Sequence, residues 1–235
     1  MFQALSTTTT RIFVPLLAGA SLRDRAIGSV GALIGICAVG AVCLALFPQA
    51  TPWIVAPIGA SAVLLFAVPA SPLAQPWSVV GGNGVSAALG VLVAGLIPQP
   101  ALAAALAVGG AILLMSLLRC LHPPGGAAAL SAVIGGHTLQ SGHAGHLLLP
   151  VLANSVLLVA IGWLFHRFSG HSYPHRAKPV EGKAAVPAAS GLLMADIDAA
   201  LDDLGETFDI SRDDLALLLA QAEVHAAERG EGVSR

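Results

Sequence analysis

The sequence has 235 residues, of which 56% are apolar and only 10% charged, with a formal net charge of −2. No Asp, Glu, Lys, Arg or His lies between Arg25 and Arg119, a gap of 93 residues (119 − 25 − 1), and between Arg119 and Arg167 there are five His but no other charged residue. Soluble domains carry charge at about a quarter of positions, and a charge at mid-membrane costs roughly 2.5–3.5 kcal/mol. The pattern therefore excludes a water-facing globular domain over this stretch and specifies an all-α, polytopic transmembrane helical bundle, in keeping with the mean hydropathy of +0.81.

In chain order, residues 1–25 read as a cytoplasmic or interfacial N-terminus. The Ile12–Ala20 run is short and broken by Pro15, and it lies between Arg11 and Arg23, so it suits an interfacial segment better than a cleaved signal peptide. The bundle is expected over 26–168. Ala26–Phe47, Trp77–Ile97, Ala101–Leu118 and Leu147–His166 are each long enough to span, at about 20 residues per crossing. Trp53–Val68 and Cys120–Gly136 are shorter apolar pieces containing Pro57 and Pro124, and Pro69–Pro76 is a turn. Residues 169–191 are a polar linker. Residues 192–235 form an acidic helical tail, and 184–235 carry 11 Asp+Glu against 3 Lys+Arg.

Charge placement sets the expected topology. Arg11, Arg23 and Arg25, then Arg119, then Arg167, Arg176, Lys178 and Lys183 all fall on the cytoplasmic side of an inner membrane only if both short segments also traverse. Six crossings follow, with both termini cytoplasmic. An internal repeat points the same way. Pro57-Ile58-Gly59-Ala60-Ser61 resembles Pro124-Gly125-Gly126-Ala127-Ala128 at a shift of 67 (124 − 57), and Asn83 matches Asn154 at a shift of 71 (154 − 83). Two inverted three-segment halves, about 26–97 and 101–166, would each hold a short helix begun by Pro and Gly between two long ones. Gly82, Ser86, Gly90 and Ala94, and likewise Gly31 and Gly35, repeat every fourth residue as helix-packing faces. Cys37 and Cys43 read as small packing residues without a disulfide.

Interrupted helices in inverted repeats are the best sequence pointer to a transport site. Pro suits the first helical turn, so Pro57 and Pro124 can start helices inside the membrane. Their first-turn amides, around Gly59-Ala60-Ser61 and Gly125-Gly126, lack partners further back in the helix, and each helix start carries about half a positive charge. Two such ends make a small-anion site without a formal charge; the competing reading is that Pro and Gly only kink packed helices. His122, next to Pro123, could donate to an anion or take up a proton. Asn83 and Asn154 could donate to substrate or bridge helices. His137, His143 and His146 share a Gly-rich loop with irregular spacing, a weak basis for a metal site. No nucleophile–base set, phosphate loop, cofactor motif or nucleic-acid motif is present, so neither an enzyme nor a cofactor is expected.

The segment Leu121-His122-Pro123-Pro124-Gly125-Gly126-Ala127 resembles the HPP family of integral membrane proteins. So do Pro57-Ile58-Gly59-Ala60-Ser61-Ala62, Ser71-Pro72-Leu73-Ala74-Gln75-Pro76, Gly81-Gly82-Asn83, Pro150 with Asn154-Ser155, and Gly170-His171-x-Tyr173-Pro174-His175, together covering about 20–176. Descriptions of the family commonly give four spanning helices, from which six crossings depart. The resemblance implies, in plant and cyanobacterial members, nitrite movement across membranes, and in many bacterial members a cytoplasmic CBS-domain pair. Asp196–Glu228 resembles the helical lead-in to such a pair, with an N-cap at Ser211 and a stop at Gly230. The pair itself is expected to be absent, so nucleotide regulation is not carried over. The function expected is a transporter or channel for a small anion, with nitrite as the first candidate. The rival is a non-transporting sensor or scaffold whose acidic tail recruits a cytoplasmic protein. Expected partners are the lipid bilayer, the anion, that protein through 192–235, and a second copy of the chain if it is a homo-oligomer.

Overall fold

The computed structural model describes residues 21–46, 54–138, 145–177 and 193–233. Eight α-helices occur among them: α1 Leu22–Leu46, α2 Pro57–Ala67, α3 Pro76–Leu96, α4 Pro100–Leu117, α5 Pro124–Thr138, α6 Gly145–Ser169, α7 Met194–Leu204 and α8 Arg212–Val233, with a 3-10 turn at Pro72–Ala74. Helices α1, α3, α4 and, from Leu148, α6 are long and apolar enough to cross a membrane, whereas α2 and α5 are shorter apolar helices. Each short helix sits between two long ones, as the repeat predicts.

The helix ends follow from local chemistry. Proline opens α2, α3, α4 and α5, where its missing N–H is no loss. Ser21 and Asp24 open α1 reciprocally: Asp24 N–H donates to Ser21 Oγ (3.2 Å) and Ser21 N–H to the Asp24 carboxylate (2.9 Å). At the end of α4, Arg119 adopts φ 54°, with its N–H on Ser116 O (3.2 Å) and Cys120 N–H on Met115 O (2.9 Å). This is the Schellman stop, with arginine where glycine is usual. It turns the chain back so that Cys120 and His122 enter the bundle fully buried. Arg119 is thus more than a topological marker.

Helix α3 lies at the centre, packed on α4, α5 and α6. Its small-residue face is a true packing surface: a Cβ on Gly90 would stand 2.4 Å from Ala129 O, and one on Gly82 would stand 2.6 Å from His122 Cβ. In α1, Gly31 and Gly35 receive the Phe66 ring in the same way. Along α4, Ala103, Ala107, Ala111 and Met115 form a buried stripe every fourth residue, so backbone proximity here comes from alanine as much as glycine.

Several expectations change. Helix α5 runs through Gly135 and Gly136 to Thr138, and α8 runs through Gly230 to Val233. The glycine that stops a tail helix is Gly205, which ends α7 with φ 63°; a glycine terminates a helix only by taking up the left-handed conformation. The N-cap at Ser211 holds, since its Oγ accepts Asp214 N–H (3.1 Å). Cys43 is buried, but Cys37 is exposed. Trp53, the Ile12–Ala20 segment and His143 lie outside the described residues, as do the side chains of His137 and His146.

The basic residues gather at one end of the bundle. His171 pairs with Asp24 (3.7 Å), Trp77 Nε1–H donates to Leu118 O (3.1 Å), and Tyr173 O–H donates to Ala74 O (3.0 Å). These contacts bring together the starts of α1 and α3, the ends of α4 and α6, and the 68–75 connection, and with them Arg23, Arg25, Arg119, Arg167 and Arg176.

Candidate functional site

His122 is the hub of the interior. The Schellman turn delivers it, and two glycines of α3 make room: a Cβ on Gly81 would meet Cys120 Cβ at 3.2 Å, and one on Gly82 would meet His122 Cβ at 2.6 Å and Cys120 O at 2.7 Å. The next residue, Asn83, reaches into the same space. Gly81-Gly82-Asn83 therefore works as a unit, two openings followed by one amide.

The ring's bonds fix its protonation pattern. His122 Nδ1 lies 2.8 Å from Leu73 O, and a carbonyl can only accept, so Nδ1 carries the hydrogen. Nε2 lies 2.8 Å from Ser61 Oγ and, in the neutral ring, accepts the Ser61 hydroxyl. Asn83 Nδ2 donates to Ser61 Oγ (3.1 Å) and to Ser155 Oγ (3.2 Å). His122, Ser61, Asn83 and Ser155 are all fully buried. The lead-in to α5, the first turns of α2, the middle of α3 and the middle of α6 thus converge on one chain of hydrogen bonds. Asn83 Oδ1 and, three residues on, Ser86 Oγ are buried without a partner among the described residues. Groups of that kind in a protein interior usually mark a water or ligand position, or a part that moves.

The expected residues divide into those that meet and those that do not. His122, Ser61 and Asn83 come together, and Pro57, Pro124 and Gly125 are buried beside them. Gly125 is pressed on α3, where a Cβ would stand 2.8 Å from Ser86 Oγ. Gly59, Ala60 and Pro123 are exposed and Gly126 is half-buried, so they do not line the cluster. Nor are the first-turn amides free. Ile58 and Gly59 donate to Val55 O and Ala56 O (3.0 and 3.1 Å), and Gly125 and Gly126 donate to His122 O and Pro123 O (2.8 and 3.1 Å). The lead-in segments curl into the helices and cap them, so the converging donors are side chains rather than backbone N–H groups.

Asn154 sits apart, with a bridging role: its Oδ1 accepts Val55 N–H (3.0 Å) and its Nδ2 donates to Cys43 Sγ (3.2 Å). It ties α6 to the lead-in of α2 and to α1.

Sequence reasoning overlooked Ser155, His166, and the role of the 69–75 segment. His166 is buried; its Nε2–H donates to Leu65 O (3.0 Å) and its ring stacks on Phe66. In the 69–75 segment every carbonyl but that of Ala70 has a side-chain donor or another residue's N–H. Gln75 Nε2 donates to Pro69 O and Ser71 O (3.0 and 2.8 Å), Ser78 Oγ to Pro72 O (2.9 Å), His122 to Leu73 O and Tyr173 to Ala74 O, and Gln75 Oε1 accepts His175 N–H (2.9 Å). The tail meets its outer side, where Ser71 Oγ donates to the Asp209 carboxylate (2.8 Å) and His175 Nε2 lies 2.8 Å from Asp214 Oδ1. Burial raises the Asp214 pKa, but hydrogen bonds from His175 and Ser211 outweigh it and hold the group below its ordinary value.

The family described as the HPP transmembrane region matches residues 18–174. A transmembrane protein of Dictyostelium discoideum is 38% identical over 120 residues, covering 49% of this chain and 42% of the relative. A second transmembrane protein of the same organism is 35% identical over 123 residues, covering 51% and 39%. The chain thus spans about two fifths of the length of these curated relatives. No solved structure matches. The chain belongs to the HPP transmembrane family and is a multi-pass integral membrane protein.

Proposed function

We propose that this chain is a transporter or channel for a small anion, with nitrite the first candidate, and that the His122–Ser61–Asn83–Ser155 cluster is where the anion passes. One observation carries the reading. An ionisable side chain stands fully buried and hydrogen-bonded in a stretch otherwise free of Asp, Glu, Lys and Arg from Arg119 to Arg167. Ionisable residues inside membranes are expensive and are functional by default. The cluster is rich in donors, from His122, Ser61, Asn83 and Ser155, and the starts of α2 and α5 add their positive dipole ends. In this reading the Ser86 and Ser155 hydroxyls have a hydrogen to offer the anion directly, while His122, Ser61 and Asn83 reach it by exchanging a present partner.

In this proposal all six bundle helices traverse a bacterial inner membrane, with both termini in the cytoplasm. Helix α2, with 11 residues, and α5, with 15, are about 16 and 22 Å long at 1.5 Å per residue. The hydrocarbon core is about 30 Å thick, so each crosses as a broken element completed by its lead-in. The gathering of Arg23, Arg25, Arg119, Arg167 and Arg176 at one end supports this orientation.

Nitrite uptake by proteoliposomes holding the full chain, against protein-free vesicles, tests the function. Uptake above the control is expected, and its loss in His122→Ala that still shows a cooperative melt. No uptake of nitrite or of any other oxyanion overturns the reading. A scaffold role draws on a separate observation: the acidic tail leaves Leu193, Leu204, Phe208 and Leu218 exposed. Deleting 193–235 separates the two, because flux that survives the deletion while a cellular phenotype is lost assigns recruitment to the tail.

A further inference from the structure

We propose that the cluster couples the anion to a proton: His122 carries the proton, Ser61 passes it on, and anion and proton cross together as a neutral pair. This rests on the transport reading and names its coupling ion.

The geometry offers two complete hydrogen-bond states without moving a heavy atom. Ser61 Oγ has two acceptors in reach, His122 Nε2 at 2.8 Å and Pro57 O at 3.2 Å, and it accepts Asn83 Nδ2–H. In the neutral state the hydroxyl points at Nε2. A proton arriving from water at Ser61 Oγ stays there as the new hydroxyl hydrogen, turned towards Pro57 O, while the former hydroxyl hydrogen passes to Nε2. The ring becomes imidazolium, with Nδ1–H still on Leu73 O and Nε2–H now donating to Ser61 Oγ. One proton is gained, the charge rises by one, and no bond between heavy atoms changes. Ser61 then donates once and accepts twice, using its full capacity.

Among the described residues, the carboxylates on this side are those of Asp209 and Asp214, held by Ser71 and His175 on the outer side of the 69–75 segment, and neither bonds to His122. Helices α2, α3 and α4 contain no titratable residue. The 68–75 connection has none either, with the Tyr173 phenol on Ala74 O as its neighbour. His122's own segment brings the Cys120 thiol and Arg119, and in α6 the buried His166 is committed to Leu65 O. An imidazolium here is bonded to no carboxylate among the described residues, so a monovalent anion beside it removes the cost of an isolated buried charge.

Two measurements on the wild-type full chain decide the matter. In proteoliposomes with an internal pH dye, protein-dependent nitrite uptake is expected to acidify the lumen by one proton per anion and to ignore an imposed membrane potential. Protein-dependent uptake that follows the potential without acidification overturns the coupling and leaves the transport reading standing; absence of uptake overturns both. Ring-nitrogen NMR of ¹⁵N-histidine-labelled chain, with His122→Gln for assignment, is expected to show neutral His122 with hydrogen on Nδ1. Hydrogen on Nε2 instead overturns the relay whatever the flux. Ser61→Ala is expected to slow coupled uptake about a hundredfold, the usual scale for losing a positioned proton-transfer group, while uptake at the wild-type rate removes Ser61 from the path.

Discussion

The two short helices both begin with proline but are entered differently. At α2 the lead-in is fixed by an ordinary bond, Val55 N–H to Asn154 Oδ1 at 3.0 Å. The position 67 residues on (55 + 67) is His122, and there the side chain takes over, reaching Leu73 O and Ser61 Oγ. The paired amides differ in the same sense. Asn154 is engaged at both ends, on Val55 and Cys43, whereas Asn83 leaves Oδ1 open. One entrance is fully satisfied and serves as a frame; the other holds an ionisable ring and spare hydrogen-bonding capacity. The two entrances thus differ in chemistry, and each draws its residues from both sides of the 98–100 break.

The largest effect is expected where the second entrance is pressed on α3. Gly82→Ala puts a methyl 2.7 Å from Cys120 O and 2.6 Å from His122 Cβ. The first of these is backbone and cannot swing aside. Overpacking of this kind costs roughly 1–3 kcal/mol, and His122 must shift to accommodate it. A clear fall in melting temperature in detergent and loss of anion flux are expected. The control lies in the first copy: Gly59 is exposed, and a Cβ there meets nothing within 4 Å. Gly59→Ala is expected to melt at or above the wild-type temperature, since alanine is the better helix former, and to carry anion normally.

The asparagines give a crossed prediction of intermediate size. Asn154→Ala strands the buried Val55 N–H, at a cost of roughly 1–3 kcal/mol. Asn83→Ala removes two donor bonds but also an unpaired oxygen, so about 1 kcal/mol or less is expected. Flux should rank the other way, with Asn83→Ala the more damaging once both proteins are held below their melting temperatures. Equal ranks in both assays would mean that the two amides do the same work and that the entrances are not specialised.

Much of this was legible in the sequence because membranes make local rules strict. Absence of charge located the bundle, prolines located the helix starts, and Gly82, Ser86 and Gly90 announced the close face of α3 before any partner was known. His122, Ser61 and Asn83 were legible as candidates because polar residues are rare in such a chain. What could not be read was which polar groups were already satisfied. The first-turn amides of α2 and α5 are capped by Val55, Ala56, His122 and Pro123, whose curl is set by tertiary packing. The 69–75 segment read as a plain turn, since backbone carbonyls carry no sequence signature even when five of them are bound by side chains, two of those from distant positions. Ser155, though part of the Asn154-Ser155 motif, is not marked as a site residue by the sequence, because a lone serine in an apolar helix usually bonds to its own backbone.

The smallest effect is expected at the tail. Asp209 and Asp214 bind the outer side of the 69–75 segment through Ser71 and His175, and Leu73, two residues from Ser71, holds His122 on the inner side. A tight linkage would make the tail a lever on the site. The bonds argue against it, because Gln75, Ser78 and Tyr173 hold the segment independently of the tail. Exposed and half-exposed pairs are worth about 0–1 kcal/mol. Deleting 193–235 is therefore expected to change flux by no more than about twofold. The docking itself should depend on acid. Asp214 has its pKa lowered on folding, with burial opposing and the His175 and Ser211 hydrogen bonds prevailing, so its contribution is full above the unfolded value of about 3.9 and disappears as pH falls through the lower folded value. Spin labels on α8 and on the 69–75 segment should report a short distance at pH 7 that lengthens only below about pH 4. Asp214→Asn should loosen it modestly at pH 7. A large loss of flux on tail deletion, with the bundle still folded, would show instead that the outer bonds of the segment govern His122, and that the second entrance is controlled from outside the membrane as well as built differently within it.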